Sequence, residues 1–185
     1  MRERGWDYVD VVIITGDAYV DHPSFGAAVV GRVLSGKGYR VGIISQPRWR
    51  EPSSVSIFGK PRLFFAVTAG NIDSSLSMYT AFKKVRNDDP YTPDGVGGAR
   101  PKLASLVYCN LVKSVYRDVP VVMGGIEASM RRLPYYDYWN NRVRRSILLD
   151  AKADILVYGM GELQIEEIAG RIASGETLSG IPGTV

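Results

Sequence analysis

Short, almost continuously apolar runs recur along the chain, and most of them end in glycine or a small polar residue. They cover residues 9–15, 40–45, 63–68, 119–123 and 154–158. Runs of this length without polar alternation are typical of strands buried on both faces of a parallel sheet. The pattern therefore predicts five buried strands.

Apolar residues at helical spacing fill three of the intervals around these strands. The stripes are Phe25/Val29/Val33, Leu103/Val107/Leu111/Val115 and Ile165/Ile168/Ile172. Pro23 and Pro101 suit the first turns of the first two helices, and glycines at 36 or 38 and at 175 suit helix ends. Alternating strands and helices imply right-handed crossovers. We expect an α/β fold: a Rossmann-like, three-layer, doubly wound sheet of about five parallel strands.

Three stretches depart from this alternation. Residues 46–62 contain a predicted short helix that starts at Pro52. Residues 69–100 form a long insertion in which 74–84 is a candidate helix, and loops of this length inside a compact domain are usually functional or disordered. The tail, 178–185, is interpreted as a linker or an edge strand.

Composition excludes several kinds of site. Of 185 residues only one is cysteine, Cys109, and only one is histidine, His22. An internal disulfide, a cysteine-rich zinc site, an iron–sulfur cluster held by this chain alone and a multi-histidine metal site are excluded. Cys109 lies within a predicted helix and is interpreted as a packing residue rather than a nucleophile. No apolar stretch has membrane-spanning length, so we expect no membrane partner. The absence of disulfides fits a reducing environment, so we expect a cytoplasmic location.

Candidate binding residues follow the predicted strands, because ligands of open α/β sheets bind at the carboxyl ends of the strands. Glycine there allows close approach of a ligand, or simply a tight turn. Asp17 and Asp21 could act as an acid–base pair or as helix caps, and His22 could bind a metal or hydrogen-bond locally. No dinucleotide or phosphate-loop motif is present. The candidates are Gly16, Asp17, Asp21, His22, Ser24, Gly70, Asn71, Gly124, Gly125, Glu127, Ser129, Gly159, Gly161 and Glu162.

The net charge of +4 is mild, but one segment concentrates it. Residues 131–145, from Arg131 to Arg145, contain five arginines interleaved with three tyrosines and Trp139. Basic residues among aromatics can bind single-stranded nucleic acid. They can equally form an ion-paired connection or contact another domain.

Several unusual segments, taken together, resemble one family. GWDYVDVVIITGDAYVDHPSFGAAVVGR, FFAVTAGNIDSSLSMYT, DDPYTPDGVGGARP, VPVVMGGIEASMRRLPYYDYW and RRSILLDAKADILVYGMGE are similar to the N-terminal region of YgiQ-type radical SAM proteins. The resemblance runs from Gly5 to about Glu176. It implies a radical SAM N-terminal, cobalamin-binding-like domain over 1–176, with 177–185 a linker or the start of a missing barrel.

Two glycine turns resemble those of cobalamin-binding domains. Gly124 and Gly125 in GGIEAS match the first turn, and Gly159, Gly161 and Glu162 in YGMGE match the second. The axial-histidine pattern Asp-x-His-x-x-Gly is not kept, because Val20 and Phe25 stand where it has Asp and Gly. The resemblance makes cobalamin a possible cofactor, without making any cofactor of this chain certain.

The resemblance also implies a barrel domain carrying Cys-x-x-x-Cys-x-x-Cys, a [4Fe–4S] cluster and S-adenosylmethionine. This chain lacks that motif, so we expect it to be inactive alone. We interpret it as an accessory domain that covers or shapes the active site of a radical SAM iron–sulfur enzyme, with the barrel as its partner and the substrate unknown. The alternatives are a stand-alone cobalamin- or nucleotide-binding module and a basic RNA-binding module.

Overall fold

The computed structural model describes residues 1–185, apart from the side chain of Arg2. Five parallel strands form one sheet in the order β2-β1-β3-β4-β7, and β5 and β6 form a separate antiparallel hairpin. The prediction of a five-stranded, parallel α/β sheet is confirmed. The strands are β1 (Val11–Thr15), β2 (Val41–Ser45), β3 (Phe64–Thr68), β4 (Val121–Gly124), β5 (Tyr135–Asp137), β6 (Arg142–Arg144) and β7 (Ile155–Leu156).

Helices cover both faces of the sheet. α1 packs with α6 on one face, and α3 packs with α5 on the other. Short 3₁₀ turns occupy Pro52–Val55 and Pro93–Gly95. The helices are α1 (Gly26–Gly36), α2 (Ser74–Met78), α3 (Ala104–Val115), α4 (Gly125–Met130), α5 (Ile147–Ala151) and α6 (Glu162–Ser174).

The central strands are apolar, except for Thr15 and Thr68 at their carboxyl ends, because successive side chains enter opposite cores. In β1, Val11 and Ile13 pack under α1 and α6, whereas Val12 and Ile14 pack under α3 and α5. β3 and β4 divide their side chains in the same way. Two-face burial leaves no strand position in the middle of the sheet for a polar side chain. Functional groups are therefore confined to the loops.

Local chemistry explains most helix boundaries. The carboxylate of Asp73 accepts hydrogen bonds from the backbone N–H groups of Ser75 and Leu76, and Ser146 caps α5 in the same way. Gly175 ends α6 in the left-handed conformation, with φ 71°. These are the residue types that satisfy unpaired helix-end groups at lowest cost.

The insertion differs from the sequence-based expectation. The candidate helix 74–84 ends at Met78, because Tyr79 is extended and pairs with Val85 in an antiparallel bridge. Arg86 secures this turn by donating from Nε to the carbonyl oxygens of Leu76 and Tyr79 at 3.2 Å each. A local turn within the insertion has replaced the second half of the predicted helix.

The tail folds back onto the sheet. Thr184 pairs with Val157 in an antiparallel bridge, and the Leu156 N–H donates to the Val185 carbonyl at 2.9 Å. Ile181 is buried in the core under α1 and α6. Of the two interpretations of the tail, the pairing favours an edge strand, and the domain boundary at 176 stays a prediction.

Two further expectations concern single elements. Cys109 is fully buried in α3, where burial raises the pKa of its thiol, so it is a packing residue. Across the described helices, none combines the length and the apolar character that a membrane crossing requires.

Gly16, directly after β1, provides a stability test of the crowded sheet edge. A Cβ there would overlap the backbone carbonyl of Ala69, which cannot move aside as a flexible side chain could. We expect Gly16→Ala to destabilise the fold by about 1–3 kcal/mol in urea unfolding. Gly36→Ala, in open space at the end of α1, should be neutral or stabilising by up to about 1 kcal/mol. Equal effects of the two variants would contradict this packing.

Candidate functional site

A groove opens at the carboxyl edge of the sheet, between α1 and the loops after β4 and β7. Its volume is about 350 Å³, and we call it the carboxyl-edge groove. Sheet residues such as Ile13, Ala66 and Val122 form its floor. Six of the predicted site residues line it: Ser24, Gly124, Gly125, Gly159, Gly161 and Glu162.

A smaller pocket of about 180 Å³ lies beside the groove, where β1 and β3 diverge. This is the switch point of the sheet, because the chain crosses from β1 to β2 on one side and to β3 on the other. Asp17, Gly70 and Asn71 line this pocket, and Gly125 borders both cavities. The structure thus brings nine of the fourteen predicted residues to two adjoining cavities.

The loop after β1 is held by a buried ion network. Arg100 donates from Nη1 to Asp17 at 2.8 Å, and from Nε and Nη2 to both oxygens of Asp89 at 2.7 Å. All three side chains are buried. The network ties the end of the insertion to the β1 loop, and it makes Asp17 a structural anchor rather than a free acid or base.

The two carboxylates of this network differ in pKa. Burial raises the pKa of Asp17 above its ordinary value, against the opposing hydrogen bond from Asn71 and the charge of Arg100. Burial acts in the same direction on Asp89, but the paired hydrogen bonds from Arg100 and the Tyr91 N–H outweigh it and lower its pKa. Asp89 accepts two hydrogen bonds from the guanidinium of Arg100, whereas Asp17 accepts one, and the bidentate pairing is the stronger interaction.

Glu127 is also turned inward. Its carboxylate accepts from Ser105 N at 2.8 Å, from Ser74 N at 2.9 Å and from the Ser74 hydroxyl, and it has no exposed surface. Burial, reinforced by the charge of Asp73, raises its pKa. Asp73 itself pairs with Arg131. These contacts join α2, α3 and α4, so Glu127 supports the loop wall from behind.

The predicted glycines serve different purposes. Gly70 and Gly125 have positive φ, and a Cβ on either would overlap Asp17 or the Thr68 hydroxyl. Protein packing therefore demands glycine there, as in a tight turn. Gly124 has ordinary extended geometry, and a Cβ on it would meet its nearest atom at 3.7 Å. Gly26, which sequence reasoning did not select, also faces open space at the groove.

Three candidates of the β1 loop, Gly16, Asp21 and His22, lie outside both cavities. His22 is exposed, and its Nδ1 accepts the Ser24 N–H at 3.1 Å. The Nδ1 lone pair is therefore engaged in a local hydrogen bond rather than directed into either cavity. Asp21 forms a surface ion pair with Arg32. Within the described residues, no group of three His, Cys, Asp or Glu side chains lies close enough to hold a metal ion.

Ser129 links the two glycine turns. Its hydroxyl donates to the Gly125 carbonyl at 2.8 Å and accepts from the Gly159 N–H at 3.2 Å. This bridge fixes the loop after β4 against the loop after β7. Ser129 thereby shapes the groove without lining it.

The arginines of the basic segment are engaged mainly in internal contacts. Arg131 pairs with Asp73, Arg144 with Asp137 and Arg145 with Asp150. Arg132 donates to the Ser129 carbonyl at 2.7 Å. The ion-paired interpretation of the segment describes three of its five arginines, and a backbone carbonyl holds Arg132, which leaves little free charge for phosphate groups.

Sequence reasoning missed Arg100, Asp89 and the Arg131–Asp73 pair. Arg100 is an ordinary arginine next to Pro101, and no local pattern distinguishes it from exposed arginines. Asp73 did carry a signal, because Asp before Ser-Ser at a helix start is a typical N-cap. Which arginine would approach it was set by tertiary structure alone.

The sheet and its loops define a class: a doubly wound α/β domain with a groove at its carboxyl edge. The Radical SAM N-terminal family model matches residues 1–185. The chain belongs to this family, the N-terminal domain of UPF0313 (YgiQ) proteins, which confirms the resemblance seen in the sequence.

Curated relatives are much longer than this chain. A UPF0313 protein of Vibrio cholerae is 58% identical over 97% of this chain and 23% of its own length. A UPF0313 protein of Pseudomonas aeruginosa is 58% identical over 98% of this chain and 24% of its length. UPF0313 protein YgiQ of Salmonella typhimurium is 55% identical over 98% of this chain and 25% of its own length. The chain therefore spans about a quarter of the relatives it matches.

Solved structures support the fold. The radical S-adenosylmethionine methyltransferase TsrM of Kitasatospora setae, bound to cobalamin and a [4Fe–4S] cluster, matches with a TM-score of 0.61 at 18% identity, over 94% of this chain and 26% of that chain. TsrM bound to tryptophan and a SAM analogue matches at 0.60 and 20% identity, over 94% of this chain and 28% of that chain. At these identities the likeness concerns the fold.

Removal of Arg100 tests the buried network. Arg100→Met leaves Asp17 and Asp89 buried without their cation, and we expect a loss of about 3–5 kcal/mol in urea unfolding. Arg32→Met breaks the exposed pair with Asp21 and should cost less than about 1 kcal/mol.

The loss of unfolding free energy in Arg100→Met should change with pH in a defined direction. In the wild type, the lowered pKa of Asp89 stabilises the fold above the ordinary value of 3.8, and this stabilisation is lost as the pH falls. Without Arg100, both buried carboxylates favour protonation, so the deficit of Arg100→Met should shrink from pH 7 towards pH 5. A deficit independent of pH would argue against the network as the cause.

Proposed function

We propose that this chain is the accessory N-terminal domain of a radical SAM iron–sulfur protein, and that its carboxyl edge faces the catalytic domain. Family membership, together with a length one quarter that of the relatives, supports this role. The cluster and S-adenosylmethionine would belong to the remaining three quarters. With a single, buried cysteine, the chain itself would not cleave S-adenosylmethionine.

Exposed apolar side chains support a partner at this edge. Met160 and Leu163, beside the groove after β7, are 84% and 78% exposed. Ile126, Met130 and Leu133 follow β4 and are also exposed. Clusters of exposed apolar residues typically mark an interaction surface. A covering domain would remove these side chains from water.

We further propose that the carboxyl-edge groove receives the nucleotide tail of cobalamin. The observation that carries this proposal is the space at two glycines of the groove: a Cβ on Gly26 would meet no atom within 4 Å, and one on Gly124 would make only ordinary contacts. The groove volume is at the lower end for small-molecule sites, so part of a cobalamin fits and a whole corrin does not.

The chain's own residues would bind and orient this tail. Gly124 and Gly159 would allow close approach, Ser129 would keep their two loops in register, and the apolar floor would exclude water. When bound, cobalamin supplies a cobalt–carbon bond for radical or alkyl-transfer chemistry. Since His22 lies outside both cavities and its Nδ1 accepts the Ser24 N–H, we assign it no cobalt ligation.

Co-purification tests the accessory role. The 185-residue chain is co-expressed with the complementary three quarters of the Vibrio cholerae relative. We expect a complex, and we expect Met160→Glu/Leu163→Glu to lower its yield at least tenfold because charges would be buried at the interface. Leu149→Glu, at an exposed apolar position on α5, is the control. Undiminished association of the double variant would contradict the proposed surface.

Retention of hydroxocobalamin after desalting tests the groove. We expect the chain to keep corrin absorbance and Gly26→Leu to lower it about tenfold, because the added side chain occupies the groove. Gly36→Leu carries the same side chain at the far end of α1 and should retain cobalamin. Absence of retained corrin in the wild type would reject this cofactor while leaving the accessory role standing.

A further inference from the structure

A second cleft lies between α2, the turn after it and the β5–β6 hairpin. Its volume is about 640 Å³, and it shares no lining residue with the carboxyl-edge groove. Tyr79, Tyr135, Tyr138 and Trp139 form its aromatic walls, with Leu103 and Asp73 also lining it. We call it the aromatic cleft. None of the fourteen residues predicted from the strand ends lines it.

The aromatic walls are fixed by contacts with one another and with the insertion. The ring of Trp139 lies 4.7 Å from that of Tyr79 and 5.4 Å from that of Tyr138, measured between centroids. The Tyr138 hydroxyl donates to the Ala81 carbonyl at 2.8 Å. Asp137 accepts from the backbone of Trp139 at 3.1 Å and from Arg144 at 2.7 Å. Preorganised aromatic faces favour a planar ring as ligand.

Asp137, in the hairpin that contributes these walls, has a strongly acidic carboxyl group. Burial acts to raise the pKa of Asp137, but hydrogen bonds from Asn140 and Arg144 outweigh it and lower the pKa to about 2. Asp137 therefore stays charged and paired at neutral pH. Asp73, the other carboxylate of the cleft, is paired with Arg131. Neither carboxylate leaves net negative charge in the cleft.

Two lysines next to the walls lack such partners. The ammonium of Lys102 lies 5.5 Å from the ring centroids of both Tyr79 and Trp139, and that of Lys83 lies 4.7 Å from that of Tyr138. Among the described side chains, neither lysine forms an ion pair with a carboxylate. The aromatic walls are thus bordered by two lysines without an ion-pair partner, which favours an anion.

We propose that the aromatic cleft binds a nucleotide, with its base on Trp139 and Tyr79 and its phosphate near Lys83 and Lys102. Base–aromatic stacking and lysine–phosphate attraction are the two interactions that nucleotide sites of this kind combine. A free mononucleotide and the end of a single-stranded RNA share this chemistry. The cleft is independent of the cobalamin proposal, since the two cavities have no residue in common.

Fluorescence of Trp139 tests the site directly. The chain has three tryptophans, so Trp6→Phe/Trp49→Phe leaves Trp139 as the reporter. We expect saturable quenching by AMP, weaker binding of adenosine, and no effect of ribose 5-phosphate, which lacks the base. A short oligoadenylate identifies the source: tighter binding than AMP assigns the site to RNA, and binding no tighter than AMP assigns it to a free nucleotide.

Variants separate stacking from charge. Lys102→Gln should weaken AMP about fivefold and leave adenosine unchanged, because only the phosphate loses a partner. Lys152→Gln, an exposed lysine at the amino end of the sheet, is the matched control. Tyr79→Leu keeps apolar bulk but should weaken both ligands at least fivefold.

The proposal is overturned if Trp139 shows no saturable response to millimolar AMP, if ribose 5-phosphate acts like AMP, or if Lys102→Gln and Lys152→Gln behave alike. Near-UV circular dichroism verifies that each variant is folded. Should Tyr79→Leu fail to fold, the two lysine variants alone decide the outcome.

Discussion

The arrangement of the loops at the carboxyl edge depends on one buried cation. Arg100 ends a thirty-two-residue insertion and places its guanidinium between Asp17, after β1, and Asp89, within the insertion itself. Removing a charge from water is costly, so this side chain is stable in the interior only with both carboxylates in place. The insertion is thereby held against the switch point of the sheet. The insertion forms a wall at this switch point, and the wall supports α2 and the turn at Tyr79.

A second buried charge extends this support. Glu127 joins the starts of α2 and α3 to α4 through three donors, and Asp73 receives Arg131 from the end of α4. The two networks lie on either side of the loop after β3. Together they give the loops a fixed geometry, while the groove itself is left to glycines and apolar residues. Polar residues support this site from behind, and small residues shape its surface.

Sequence patterns predicted the strands because burial on both faces leaves a strong local signal, as in β1 and β3. They also predicted which loops would meet, since the carboxyl ends of parallel strands share one edge. Sequence patterns could not show which glycines are required by protein packing and which leave space at the groove. Gly125 is crowded by Thr68 and Gly124 is not, and this difference arises from a neighbouring strand rather than from GGIEAS itself. The segment 131–145 was equally ambiguous until its arginines met carboxylates distant in the sequence.

The sequence by itself determined the five-stranded α/β fold, the family and the edge of the sheet at which the candidate residues lie together, because these follow from periodicity, strand direction and long family segments. Tertiary structure alone decided that Asp17 and Glu127 are buried supports, that His22 uses its Nδ1 in a local hydrogen bond, and that Tyr79 meets Trp139 across an aromatic cleft. Each of these outcomes depends on contacts between residues far apart in the chain. Such contacts leave no pattern in the local sequence.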